Sequence, residues 1–73
     1  MNKTNKRSVL ISGHRTSISL ERPFWLKLKE ICAKQKKSIN QQVTEIDNQR
    51  LRESNRNLSG AIRIFILEKI NSN

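Results

Sequence analysis

A chain of 73 residues with 15 Lys and Arg against six Asp and Glu, net +9, makes one small domain at most. Its single cysteine excludes an internal disulfide, and no CxxC or HxxxH spacing offers a zinc site; association with another subunit is the remaining support for so short a chain. No apolar run approaches the roughly 18 residues that span a bilayer, and Val9-Leu10-Ile11 is too short for a signal peptide, so the reducing cytoplasm is the expected compartment.

The charge is unevenly placed. Residues 1–37 hold ten Lys and Arg against two acids, whereas residues 38–73 hold five against four. A chain basic in one half points to a polyanion on that side, nucleic acid being the commonest; a basic surface kept for solubility is the plainer alternative. Nothing points to an enzyme: there is no Cys/His pair at plausible spacing, no Gly-rich phosphate loop and no metal cluster, and the carboxylates are scattered. No cofactor or metal is expected.

In chain order, residues 1–6 are polar and aperiodic and read as a flexible basic tail. The apolar patch Arg7–Ser12 ends at Gly13, which either bulges into the next strand or turns back as a hairpin; the sequence leaves both open. From His14 to Leu20 the period is two. Thr16, Ile18 and Leu20 share one face, and Arg15, Ser17 and Ser19 share the other, with Glu21 continuing the row.

Pro23 suits the first position of a helix running to about Gln35. Phe24, Leu28 and Ile31 form its stripe, widened by Trp25 and Cys32. Cys32 reads as a small buried apolar residue and His14 as a structural hydrogen-bonder. Lys36-Lys37 connects to a second helix that starts at Ile39, capped by Ser38 and carrying Ile39, Val43 and Ile46. Residues 47–57 are polar and read as a loop or a frayed extension. Asn57 or Ser59 caps a third helix over 58–70, with a stripe of Leu58, Ile62, Phe65, Ile66 and Ile70; residues 71–73 are a tail. That helix is apolar nearly all round, which predicts that its surface is hidden in a dimer interface rather than within one subunit.

A single strand satisfies neither its edges nor its apolar face. Two copies pairing antiparallel about a two-fold would make a ribbon over helices. The predicted dimer core is Ile18, Leu20, Phe24, Trp25, Leu28, Ile31, Val43, Ile46, Ile62, Phe65 and Ile66.

The stretch "KRSVLISGHRTSISLERPFWLKLKEICAKQKKSINQQVTEID", followed by "NLSGAIRIFILE", resembles a bacterial subfamily of ribbon-helix-helix DNA-binding proteins. The shared pattern is R-S-V, G-H-R-T-S-hydrophobic-S-L-E, F-W, E-I-D and N-L-S-x-A-hydrophobic-R, over about residues 6–68. The resemblance implies a mostly α domain over 7–70: an intertwined homodimer with an intermolecular antiparallel ribbon and an additional C-terminal helix. It implies base contacts from Arg15, Ser17 and Ser19, and phosphate contacts from the start of the second helix, here Ser38, Ile39 and Asn40, beside Lys36 and Lys37. The chemistry agrees, because a two-stranded ribbon fits the major groove and helix N-termini favour anions.

The expected function is that of a sequence-specific, repressor-type transcription regulator bound to double-stranded DNA. The alternative is a protein-interaction module, such as an antitoxin or adaptor, gripping a partner protein with its apolar third helix. With only two Phe and one Trp as stacking platforms, RNA is a weaker candidate. Lysines stand where the family often places glycine between its helices, and Glu45 and Asp47 have no DNA-related role in this reading.

Overall fold

A computed structural model describes residues 4–53 and 57–71; the expected tails at 1–3 and 72–73, and residues 54–56 of the polar link, lie outside the described residues. The order is β1 (Thr4–Ile11), β2 (His14–Glu21), α1 (Arg22–Gln35), α2 (Ile39–Glu53) and α3 (Leu58–Asn71). Between the strands stand Ser12 at φ 52° and Gly13 at φ 83°. Positive φ at both central residues is the signature of a type I′ turn, whose twist matches that of the strands it joins. The chain therefore turns back at Gly13 as a hairpin, and β1 begins at Thr4, inside the stretch read as a tail.

This hairpin changes the reasoning about pairing. β2 finds an antiparallel neighbour in its own chain, in a register running from Ile11↔His14 to Thr4↔Glu21. Side chains alternate across a strand and directly opposed residues share a face. One face thus carries Arg7, Val9 and Ile11 beside Thr16, Ile18 and Leu20, and lies on the helices. The other carries Lys6, Ser8 and Leu10 beside Arg15, Ser17 and Ser19.

The inner face completes a core within one chain. Val9, Ile18, Leu20, Leu28, Ile31, Cys32, Val43, Ile46, Ile62 and Ile66 are buried together, and Phe24, Trp25 and Phe65 pack against them half-buried. Most of the residues predicted for a dimer core are therefore covered without a second copy. The same holds for α3, whose Ile62 and Ile66 bury against its own chain, while Leu67 and Ile70 stay 49% and 46% exposed. One subunit thus hides only part of this helix: α1, α2 and β2 cover Ile62 and Ile66, while Leu58, Ile64 and Phe65 stay partly exposed.

The helix boundaries follow local chemistry. α1 starts one residue earlier than predicted, with Glu21 in the N-cap position and Pro23 in the first turn. The Glu21 side chain makes no cap bond there; it pairs instead with Arg63 of α3 at 2.9 Å. At the other end Lys36 adopts the left-handed conformation (φ 58°), with its N–H on Ala33 O (3.2 Å) and the Lys37 N–H on Cys32 O (3.0 Å). That is a Schellman closure built on lysine where glycine is usual. Ser38 caps α2 by accepting the Gln41 N–H at 3.0 Å, and Asn57 caps α3 by accepting the Gly60 N–H at 2.7 Å. α2 continues as helix to Glu53, so the first part of the polar stretch is helical extension.

A Cβ added at Gly13 would meet nothing within 4 Å, so the cost of Gly13→Ala is that of the positive φ alone. We expect a loss of about 1–2 kcal/mol, read as a lower urea midpoint at unchanged slope.

Candidate nucleic-acid interface

Two-residue turns place the residues flanking them in a hydrogen-bonded pair, and such pairs alternate along the ladder. From Ile11↔His14 onward, the rungs Leu10↔Arg15, Ser8↔Ser17 and Lys6↔Ser19 therefore turn their peptide groups away from the hairpin. Two of those outward positions are taken by helix side chains. On the β1 edge, the Leu10 N–H donates to Asn40 Oδ1 (2.9 Å), and the Thr44 hydroxyl donates to Leu10 O (3.5 Å) and accepts the Ser12 N–H (3.2 Å). On the β2 edge, the Ser19 N–H donates to Ser59 Oγ (3.2 Å), and Arg63 reaches Ser19 O (3.4 Å) as well as Glu21 (2.9 Å). The hairpin is held at one edge by α2 and at the other by α3.

The outward-facing surface follows from this clamp. Arg15 and Ser17 are exposed on it, with Lys6 and Ser8 exposed beside them on β1; Ser19 shares the face but is half-buried. Leu10 stands 43% exposed on the same surface, opposite Arg15. Lys6, Ser8 and Leu10 were missing from the sequence reading because the hairpin at Gly13 stood there as one of two alternatives; the turn sets them opposite Ser19, Ser17 and Arg15.

The start of α2 adjoins this surface through the Asn40–Leu10 bond. Asn40 is exposed, and with its carbonyl oxygen engaged its amide group keeps two donors. Ser38 is exposed and Ile39 half-buried against the core. The first helical bond of α2 is Gln42 N–H to Ser38 O (3.0 Å), and Ser38 Oγ takes the Gln41 N–H, so the N–H groups of Ile39 and Asn40 are the open ones at this terminus. No acidic residue sits in that first turn. A depression of about 330 Å³ lined by Leu10, Gly13, Asn40 and Thr44 lies between the turn and the helix.

The lysines of the connector differ in their freedom. Lys36 is exposed, whereas Lys37 is half-buried and bonded to Glu45 at 2.7 Å. Asp47 pairs with Arg50 at 2.6 Å. The two acids that had no place in the DNA reading thus have cationic partners. Arg7, on the inner face, sits over the Trp25 ring at 5.0 Å; its Nε is buried without a hydrogen bond, and the ring's π face supplies the compensation. Trp25 is a half-buried platform for that arginine. His14, expected to bond structurally, is exposed and makes no side-chain hydrogen bond among the described residues. Burial pushes the Cys32 thiol above its ordinary pKa, against a smaller opposing pull from Lys37.

Among the described residues, no group of His, Cys, Asp and Glu could hold a metal ion, and no helix is long and apolar enough to cross a membrane. No curated protein and no solved structure matches the chain. The ribbon-helix-helix domain model matches residues 4–70, from the first residue of β1 almost to the end of α3. A match over nearly the whole length, on a hairpin followed by helices, settles the kinship: the chain belongs to the ribbon-helix-helix family, a non-enzymatic DNA-binding fold whose members are generally transcription regulators or antitoxins and typically act as homodimers.

Proposed function

We propose that this protein is a homodimeric, sequence-specific DNA-binding regulator of the repressor type. The observation that carries the reading is the exposed row of Arg15 and Ser17, flanked by Lys6 and Ser8, beside the open N-terminus of α2. Arginine can hold guanine O6 and N7 with two bonds, serine can donate or accept, and an exposed leucine suits a thymine methyl. Lys6, Lys36 and Lys37 add the charge that releases counterions from the duplex.

Dimerisation along the outer edge of β2, over the stretch that α3 leaves open, produces a sheet in the order β1-β2-β2-β1. Strands lie about 4.8 Å apart and the major groove is about 12 Å wide, so four strands abreast do not fit its floor. The central β2 pair enters, presenting Arg15, Ser17 and Ser19 to base edges. Each β1, with the α2 terminus docked on it, falls at the rim by the phosphates. There Ser38, Ile39 and Asn40 hold a backbone phosphate, with Lys36 and Lys37 beside them.

The alternative reading, an antitoxin or adaptor, draws on Leu67 and Ile70, which stand exposed on α3 and suit a partner protein. A purified dimer with no salt-sensitive affinity for random DNA would favour that reading.

On a duplex selected from a random library, Arg15→Ala should cost about 1–3 kcal/mol, with a much smaller loss on random duplex. Equal losses on both would sink base readout. Lys37→Ala should weaken all sequences alike and reduce the salt slope by about 1. Glu45→Gln should do the reverse: Lys37, released from its 2.7 Å partner, tightens binding on every sequence and steepens the salt dependence. Isothermal binding measured across a salt series checks both.

A further inference from the structure

We propose that the two copies pair through β2 in a single register, centred on Thr16, because α3 closes the rest of that edge. This rests on the dimeric reading above and adds the alignment that the reading leaves open. The outward peptide groups of β2 belong to Arg15, Ser17, Ser19 and Glu21. Ser19 is closed on both sides, its N–H by Ser59 and its C=O by Arg63, and Arg63 is itself tied to Glu21 at 2.9 Å. Among the described residues no side chain bonds to the outward groups of Arg15 or Ser17. Next to them lies an open cavity of about 620 Å³, lined by Thr16, Ser17 and Ile18 of β2, Leu51 of α2, and Leu58 and Ser59 of α3.

A window of two outward residues matches itself under a two-fold axis. The Arg15 N–H meets the C=O of the partner's Ser17, the Arg15 C=O meets its N–H, and the symmetric pair repeats both bonds. A longer ladder centred on Ile18 would need Ser19 to leave Ser59 and Arg63. Any antiparallel strand could fill these four groups; an identical chain fills them with the same window on both sides of the axis and brings a second arginine-serine row onto the outer face.

The register has a measurable geometry. Thr16 faces the partner's Thr16 in a non-hydrogen-bonded pair with Cα atoms about 4.5 Å apart, inside the span that a disulfide bridges. The two Ser19 positions are offset by about six residues, roughly 20 Å. In the full chain with Cys32→Ala, the variants Thr16→Cys and Ser19→Cys are exposed to a glutathione redox buffer and scored on non-reducing gels. Thr16→Cys should form covalent dimer at least ~10-fold faster, since only its Cα separation falls in the disulfide range. Adding Ser59→Ala and Arg63→Ala to Ser19→Cys should then speed that variant's cross-linking by opening the edge. Faster reaction at Ser19 than at Thr16 in the chain with α3 contacts intact, or no gain on removing them, overturns the role of α3. Slow reaction at both positions in a protein of dimeric sedimentation mass overturns the register while leaving a dimer. A chain that stays monomeric at every concentration, with and without duplex, overturns the register together with the dimeric reading.

Discussion

The outward peptide groups of a two-stranded hairpin are the constraint on which this structure depends. An isolated hairpin is marginal in water, and its two edges expose a row of donors and acceptors. Here each edge is engaged by one helix: Leu10 by Asn40 and Thr44 of α2, Ser19 by Ser59 and Arg63 of α3. These are bonds from short polar side chains to backbone, made far apart in sequence, and they fix the hairpin on the helices at two separated points. The outer row therefore has a defined position relative to the N-terminus of α2. A recognition surface needs that property more than it needs affinity from any one contact.

Two left-handed positions set the rest of the geometry. Ser12 and Gly13 fix the turn, and the turn fixes the register; a slip by one residue would exchange the faces and put Arg15 and Ser17 into the core. Lys36 ends α1 and aims the chain into α2. Lysine there accepts a backbone cost that glycine would avoid. It also keeps a cation at the entrance to the helix terminus, so a position that costs stability coincides with the charge the proposed phosphate contact would use.

Legibility in the sequence followed the strength of periodicity. β2 alternates cleanly, and the stripes of α1 and α3 and the cap at Ser38 all have strong local signals, so these elements stood out. β1 did not, because Asn5, Lys6, Arg7 and Ser8 carry almost no apolar alternation. Its inner row is completed by an arginine lying over Trp25, a long-range contact with no sequence signature. With the hairpin at Gly13 left as one of two alternatives, β2 seemed to need a second copy for its first partner. The outer residues of β2 were legible since they follow from β2 alone. Lys6, Ser8 and Leu10 were hidden with their strand, and the pairings of Glu45 with Lys37 and of Glu21 with Arg63 depend on helix packing that no local pattern encodes.

A core that closes within one chain alters what association has to supply. Among the described residues ten apolar side chains, Leu28 and Val43 among them, are already buried together, so a second copy is not required to cover the apolar face of the sheet. In the proposed assembly it contributes a short ladder and the filling of one groove, at the cost of bringing two Arg15 side chains onto the same face close to the axis. Like charges that near each other oppose pairing, and a phosphate-lined groove relieves the opposition. Duplex and second copy then favour each other by linkage, since each lowers the free energy of adding the other. In that proposed assembly, the clamp that leaves β2 open at Arg15 and Ser17 would do two things at once: limit how far two subunits zip together, and gather their arginines where a polyanion is most needed.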